Sequence, residues 1–578
     1  MRFVRRVAFF LAAACAVGVM WVVLPDFDRS IRVYVAKKIR TLEDATPLAA
    51  AVAVQSGRIL AVGSLEDVRA QLADRPFEID RRFADLVLLP GFVDPHIHPT
   101  LAATILPIEI VSAVEWKTPR GPTRAVRSRA AFLERLRELD HARPEGDWLL
   151  VWGYHRPYHG RLTRADLDAV STTRPIFVWQ RSVHEMFFNS RALEALGMER
   201  AAFEAHPQAS WREGHLWERG TFDLGRPVTR HLAASYPQGL EMMSEMIRRG
   251  GLTTVGEQGF PQASAFLELL LLQLEMAFGD APYRFVLVPN AMFLFRQEGS
   301  GAAAERAAAR LLRWSTDRIR IPRHAKYYAD GAFYSQLMQV TEPYLDGHHG
   351  EWLMTPDDQA ELLGALWEND WDIHVHVNGD AGIDLVLDQI EAQRRAHPDK
   401  RPRVVLEHYG YARDDQHRRL ASLDVAVSNN PYYVFELSPR YAAVGFGPER
   451  ASDISPVGAL ARAGVPISFH SDFLMAPLEP LTLVWIAVNR IASDGRVWGE
   501  DQKLSLDLAL RAVTIEAARS LGLEDEIGSI RAGKRADFTV LAEDPADVAP
   551  EALRDIAIWG TVFAGRPHPL SPRTDSSP

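Results

Sequence analysis

A single cysteine, Cys15, stands in a chain of 578 residues. One thiol closes no intrachain disulfide and builds no thiolate metal site, so any transition metal must rest on imidazole, carboxylate or a rarer ligand. Lysine is nearly as scarce, with 7 Lys against 58 Arg. No arginine-rich face repeats along the chain and the net charge is −10, which removes the electrostatic footprint of a nucleic-acid binder. A small-molecule substrate suits that balance, and a polyanion does not. With 47% hydrophobic and 24% charged residues the composition is that of a folded globular protein. Histidine is plentiful at 19 residues, which turns the expectation toward imidazole ligation.

The N-terminus reads as a targeting segment. Arg2, Arg5 and Arg6 precede an apolar run of 18 residues from Val7 to Leu24, closed by Pro25 and Asp26. That is the short end of the roughly 17–25 residues that span a bilayer. Positive charge ahead of the run leaves the N-terminus in the cytoplasm and the rest outside. The alternative is a signal peptide cleaved after Ala12-Ala13-Ala14, which would leave Ala16–Leu24 as an exposed apolar tail. The expected location is a bacterial-type inner membrane, facing the periplasm, or export after cleavage. Membrane contact is expected through residues 1–30 only.

Short β runs occupy 31–88, with a hairpin at Ser56-Gly57, and return at 530–570. One small sheet domain assembled from both chain ends follows. Between them, 89–529 alternates strand-like and helical stretches, the pattern of a parallel α/β architecture. Eight apolar runs end in polar residues: LVLLPGFVDPHIH, LTTVGEQG, YRFVLVPN, HAKYYADG, DIHVHVNGD, RVVLEHYG, VAVSNNP and PISFHSD. Periodicity alone does not separate a (β/α)8 barrel from an open sheet. His, Lys and Asp at the strand ends favour the TIM-type barrel, whose catalytic groups sit there. An insertion at 100–245 would roof that face and shape the pocket. Its aromatics, Trp152, Tyr154, Trp179, Phe187 and Phe188, suit an apolar substituent or plain core.

His96 and His98 are two apart after an apolar strand, so on extended chain they face one way and can share an ion. His376, His408 and Asp472 end the fifth, sixth and eighth runs, where an unpaired charge is costly. His374 shares the face of His376 and is its rival; His376 is nearer the strand end. Lys326 lies on an apolar strand in a chain that uses Arg for nearly all of its positive charge. A lysine can lose its proton, which Arg cannot, and a neutral lysine can add carbon dioxide to give a metal-bridging carbamate. The competing reading is a lysine that buries its stem or pairs with Asp330.

HIH after LPGFVDP, Lys326 before ADG, VHVNGD, LEHYG, HSD and the closing GSIRAGKRADFTVL together resemble the amidohydrolase superfamily. DWLLVWGYH, RADLDAV and RPIFVWQRSVHEMFFNSRALEALG resemble, more narrowly, the family 3 branch that includes N-substituted formamide deformylases. The resemblance runs from about Ile31 to Pro567. It implies a (β/α)8 barrel beside a small β-sandwich and one or two divalent metals, usually Zn2+. His96 and His98 would bind the first metal, Lys326 as carbamate would bridge, and His376 and His408 would hold the second. Asp472 would touch the metal and shuttle protons, and His184 would lean over the substrate. Asn378 and Glu257 depart from the family's usual Ile and Asp, and Pro99 follows the metal pair. The implied reaction is hydrolysis of a C–N bond, amide or N-substituted formamide, by a metal-activated hydroxide. Deamination, ester hydrolysis or decarboxylation at the same site, and a tethered binding protein without turnover, are the alternatives.

Overall fold

The computed structural model of the chain describes residues 30–232 and 235–570. The apolar run at 7–24, and with it the choice between anchor and cleaved signal, lies outside the described residues. Among those described, no helix is long and apolar enough to cross a membrane.

Each of the eight apolar runs forms a strand, and the strands fall into two parallel sheets. Phe92–Ile97, Leu252–Phe260 and Arg284–Pro289 pair in that order, with Ile319–Arg320 at the edge. His324–Tyr328, Asp372–Val377, Val404–His408, Ala426–Asn429 and Ile467–Phe469 make the second sheet. Helices link consecutive strands, as parallel pairing requires. Several start from side-chain caps: Ser264 accepts the amide of Leu267 ahead of Ala265–Phe278, and Thr355 that of Asp358 ahead of Pro356–Glu368. Burial on both faces explains why these strands read as unbroken apolar runs.

The sheets meet through single parallel bridges, Ile97 with Phe473 and Asn290 with Lys326. Buried Asp94 secures the first seam, accepting the amides of Ser471 at 3.1 Å and His96 at 3.3 Å. The Pro90-Gly91 break has a steric reason. A Cβ on Gly91 would stand 2.1 Å from Thr253 Oγ1 on the neighbouring strand.

Strands from both chain ends form one seven-stranded sheet, in the order Arg566–Pro569, Ile558–Phe563, Phe538–Leu541, Phe77–Pro90, Ile31–Arg40, Leu48–Gln55, Arg58–Gly63. The Ser56-Gly57 hairpin is present, with φ of +50° and +73°, the left-handed pair that a tight two-residue turn demands. The insertion carries its own six-stranded sheet around Leu149–Tyr154 and Ile176–Gln180. Tyr154 and Phe187 pack with Phe132 and Leu136 in its interior, so they are core and not pocket wall. Arg181 clamps the insertion to the parallel sheets. Its buried guanidinium donates to Glu436 at 2.8 Å and to the carbonyls of Leu474 and Met475, beneath the rings of Trp116, Trp152 and Tyr334.

Candidate metal centre

The C-terminal strand ends bring the expected residues together. His96 and His98 present their rings 5.2 Å apart. Asp472 crosses the seam, its Oδ1 lying 3.6 Å from His96 Nε2 and 3.3 Å from His98 Nε2. The His408 ring lies 4.8 Å from that of His96 and 4.4 Å from that of His376. Lys326 is fully buried, with Nζ 2.8 Å from His96 Nε2. Asp330 is not its partner, because that carboxylate accepts the amides of Asn378, Gly379 and Gln339. His184 reaches in from the insertion, its ring 6.2 Å from His376. His374 lies one strand repeat deeper, against Glu407 at 2.7 Å and His324 at 3.2 Å.

Backbone geometry explains how neighbouring side chains reach one site. Glu407 and His408 are adjacent on a strand, where alternation would face them apart. His408 has φ +76° and Tyr409 +50°, so the strand ends in a left-handed turn and both 407 and 408 point inward. Asp472 sits at φ +50°. Such angles cost non-glycine residues about 1–3 kcal/mol each and persist only where the surroundings over-determine them.

Carboxylates set the orientation of the rings. His96 Nδ1 donates to Glu407 Oε2 at 2.8 Å, which turns the Nε2 lone pair toward Lys326 and Asp472. His98 Nδ1 donates to Glu257 at 2.9 Å, and His184 Nδ1 to Glu218 at 2.7 Å. The Asn378 amide donates to His376 Nε2 at 3.1 Å and leaves Nδ1 for another partner. Both departures from the family pattern, Glu257 and Asn378, therefore touch histidines of the site.

The electrostatics suit a cation. Burial, reinforced by Lys326, pushes His96 and His376 well below the usual histidine range; burial, with His376 next, does the same to His408. These rings are neutral, the ligating form. Burial lowers Lys326 to about 8, against the pull of Glu407, Asp472 and Glu257. Burial pushes the Glu407 carboxyl up, opposed by Lys326, while an imidazole N–H on each of its oxygens selects the ionised, two-acceptor form. His98 runs the other way. Burial would lower it, yet hydrogen bonds to Asp472 and Glu257 lift it to about 9, so positive charge is favoured at that corner.

A divalent ion fits the residues present. His96, His98 and Asp472 offer ligand atoms within 4.8 Å of one another, and so do His96, His408 and His470. His408 Nε2 is buried without a hydrogen-bond partner, a state that proteins rarely leave uncompensated. Imidazoles with one carboxylate are a donor set that zinc accepts. His470, Glu407 and Glu218 were not among the sequence candidates. The two-residue spacing that joins His96 to His98 also joins His470 to Asp472, so that signal was present. Glu407 and Glu218 carried none.

Histidines, a buried lysine and an aspartate gathered at the ends of parallel strands make a site that could hold a metal ion, the arrangement of the metal-dependent hydrolase class. Residues 84–568 match the model of the Amidohydrolase family, and the chain belongs to that family. It is 28% identical over 560 residues to the N-substituted formamide deformylase of Arthrobacter pascens, covering 91% of this chain and 96% of that one. It is 24% identical to Protein LONG AFTER FAR-RED 3 of Arabidopsis thaliana, over 91% of this chain and 90% of the relative. Among solved structures it resembles an uncharacterized metal-dependent hydrolase from Pyrococcus horikoshii, with TM-score 0.69 and 20% identity over 90% of this chain and 99% of that one.

Proposed function

We propose that the protein hydrolyses a C–N bond in an amide or N-substituted formamide. The two parallel sheets are read as the halves of a (β/α)8 barrel, and the sheet built from both chain ends as its small β-sandwich partner. The observation that carries the reading is Lys326, fully buried within 2.8 Å of His96 Nε2 inside a cluster of neutral histidines. Likeness to the Arthrobacter deformylase along nearly the whole of both chains supports the substrate class.

His96, His98, Lys326 as its carbamate, His376, His408 and Asp472 would hold one or two divalent ions, Zn2+ first among them. Such ions supply Lewis acidity that polarises a carbonyl and lowers the pKa of water from about 15.7 to about 7. Asp472, set between His96 and His98, accepts the proton of the attacking water and returns it to the departing nitrogen. His184, with its Nδ1 proton committed to Glu218, donates from Nε2 to the oxygen that gains charge. The apolar segment at 7–24 would place this chemistry outside the cytoplasmic membrane, as a retained anchor or as a signal cleaved on export.

A panel of N-substituted formamides, N-acyl amines and matched esters, read by amine or alcohol release, tests the reading. Formamides or amides should turn over fastest. Turnover of esters alone would overturn it.

A further inference from the structure

We infer that Glu407 is a positioning residue for the metal centre, its carboxylate fork holding His96 in the one orientation that can ligate. The inference rests on the metal reading above and adds the part that sets its geometry.

Glu407 is fully buried and both its oxygens are committed. Oε2 lies 2.8 Å from His96 Nδ1 and Oε1 lies 2.7 Å from His374 Nδ1. His470 Nδ1 stands 3.5 Å from Oε2, while its hydrogen-bond partner is Ser428 Oγ at 2.7 Å. A buried carboxylate costs several kcal/mol unless its lone pairs are met. The obvious counter-ion would be Lys326, yet Lys326 Nζ approaches His96 Nε2 and leaves the carboxylate's hydrogen bonds to the two imidazole donors and the Ser428 hydroxyl. His374 thereby acquires a use. It is not placed as a ligand; it fills the second arm of the fork and is itself backed by His324 at 3.2 Å. The left-handed turn at His408 lets one strand end deliver both Glu407 and the next ring of the cluster.

A fork with two acceptors differs from an ordinary satisfied core group. Glutamine has the same shape but offers one acceptor and one donor. In Glu407→Gln one imidazole would face an N–H, and its ring would have to carry its proton on the other nitrogen. If that ring is His96, the lone pair at Nε2 is lost.

The test uses the full-length protein, stripped of metal and titrated with Zn2+ against a chromophoric chelator, with Co2+ spectra in parallel. Glu407→Gln should weaken Zn2+ binding by about 10–100-fold and alter the Co2+ visible bands, with the thermal midpoint of the metal-free protein unchanged. His374→Gln, whose amide can still donate to Oε1, should stay within about threefold of wild type, well short of the loss expected when an orienting partner is removed. Should Glu407→Gln fail to fold, Glu407→Asp, too short to reach both rings, is read in the same way. Unchanged Zn2+ affinity and Co2+ spectrum overturn the inference, as do equal losses in the Glu407 and His374 variants. Wild type that binds no Zn2+ would fail the proposed function itself.

Discussion

His98 Nε2 lies 3.3 Å from Asp472 Oδ1 across the seam between the two sheets, with Glu257 on the far side of the same ring. Two carboxylates around one histidine lift its pKa to about 9 against the effect of burial, so this corner favours positive charge. Purified protein should hold about one or two equivalents of divalent metal by elemental analysis. Chelation should abolish hydrolysis and Zn2+ should restore it. Metal-free protein with full activity would end the metal reading.

Lys326 separates charge from chemistry. Arginine keeps the positive charge but cannot form a carbamate. Lys326→Arg is expected to lose metal and to drop kcat by at least about 10²-fold. Full metal content with wild-type kcat in that variant would remove the carbamate.

The pair His184–Glu218 is expected to act as a unit. His184→Asn should lower kcat by about 10²–10³-fold with a small change in KM, the scale for losing one oxyanion donor. Glu218→Gln should fall in the same direction, and the double variant should be no worse than His184→Asn alone. Additive losses would mean that Glu218 does not work through His184.

Arg181 and Glu436 are both fully buried, 2.8 Å apart, and hold the insertion to the parallel sheets. Arg181→Ala strands a carboxylate and should cost about 3–5 kcal/mol in denaturant unfolding. A loss below about 1 kcal/mol, the scale of an exposed pair, would show that the clamp is not what holds the insertion.

Glu526 ties the C-terminal segment to the sheet edge. Burial would raise its pKa, but hydrogen bonds from Arg320 and Arg535 depress it to about 2, below the usual 4.5. A depressed carboxylate stabilises above its unfolded pKa and loses that contribution as pH falls through the folded one. The stability gap between wild type and Glu526→Gln should therefore be full above pH 4.5 and close toward pH 2. A gap unchanged across that window in acid titrations would refute the linkage.

Much of the site was legible in sequence because strand parity is a local property. His96 and His98 share a face by their spacing, and Lys326 stood out because the chain spends so little lysine. His376 and His408 were placed by the ends of apolar runs. Glu407 was illegible for the same local reason. Parity assigned it the face opposite His408, and only the φ of +76° at His408 undoes that. Glu218 was hidden by distance, 34 residues beyond His184, in the turn between the strand His215–Trp217 and the helix Arg219–Leu224. The aromatics of the insertion looked equally suited to pocket or core, since burial is not written in residue type.

Composition and local pattern alone determined that any metal must do without thiolate and look to imidazole and carboxylate, that the strands are parallel and buried, and which residues end them. Those are consequences of residue chemistry and of the two-residue period of extended chain. The tertiary structure decided which ring nitrogen faces the centre. It did so through contacts such as His96 with Glu407, 311 residues apart, which no local period encodes.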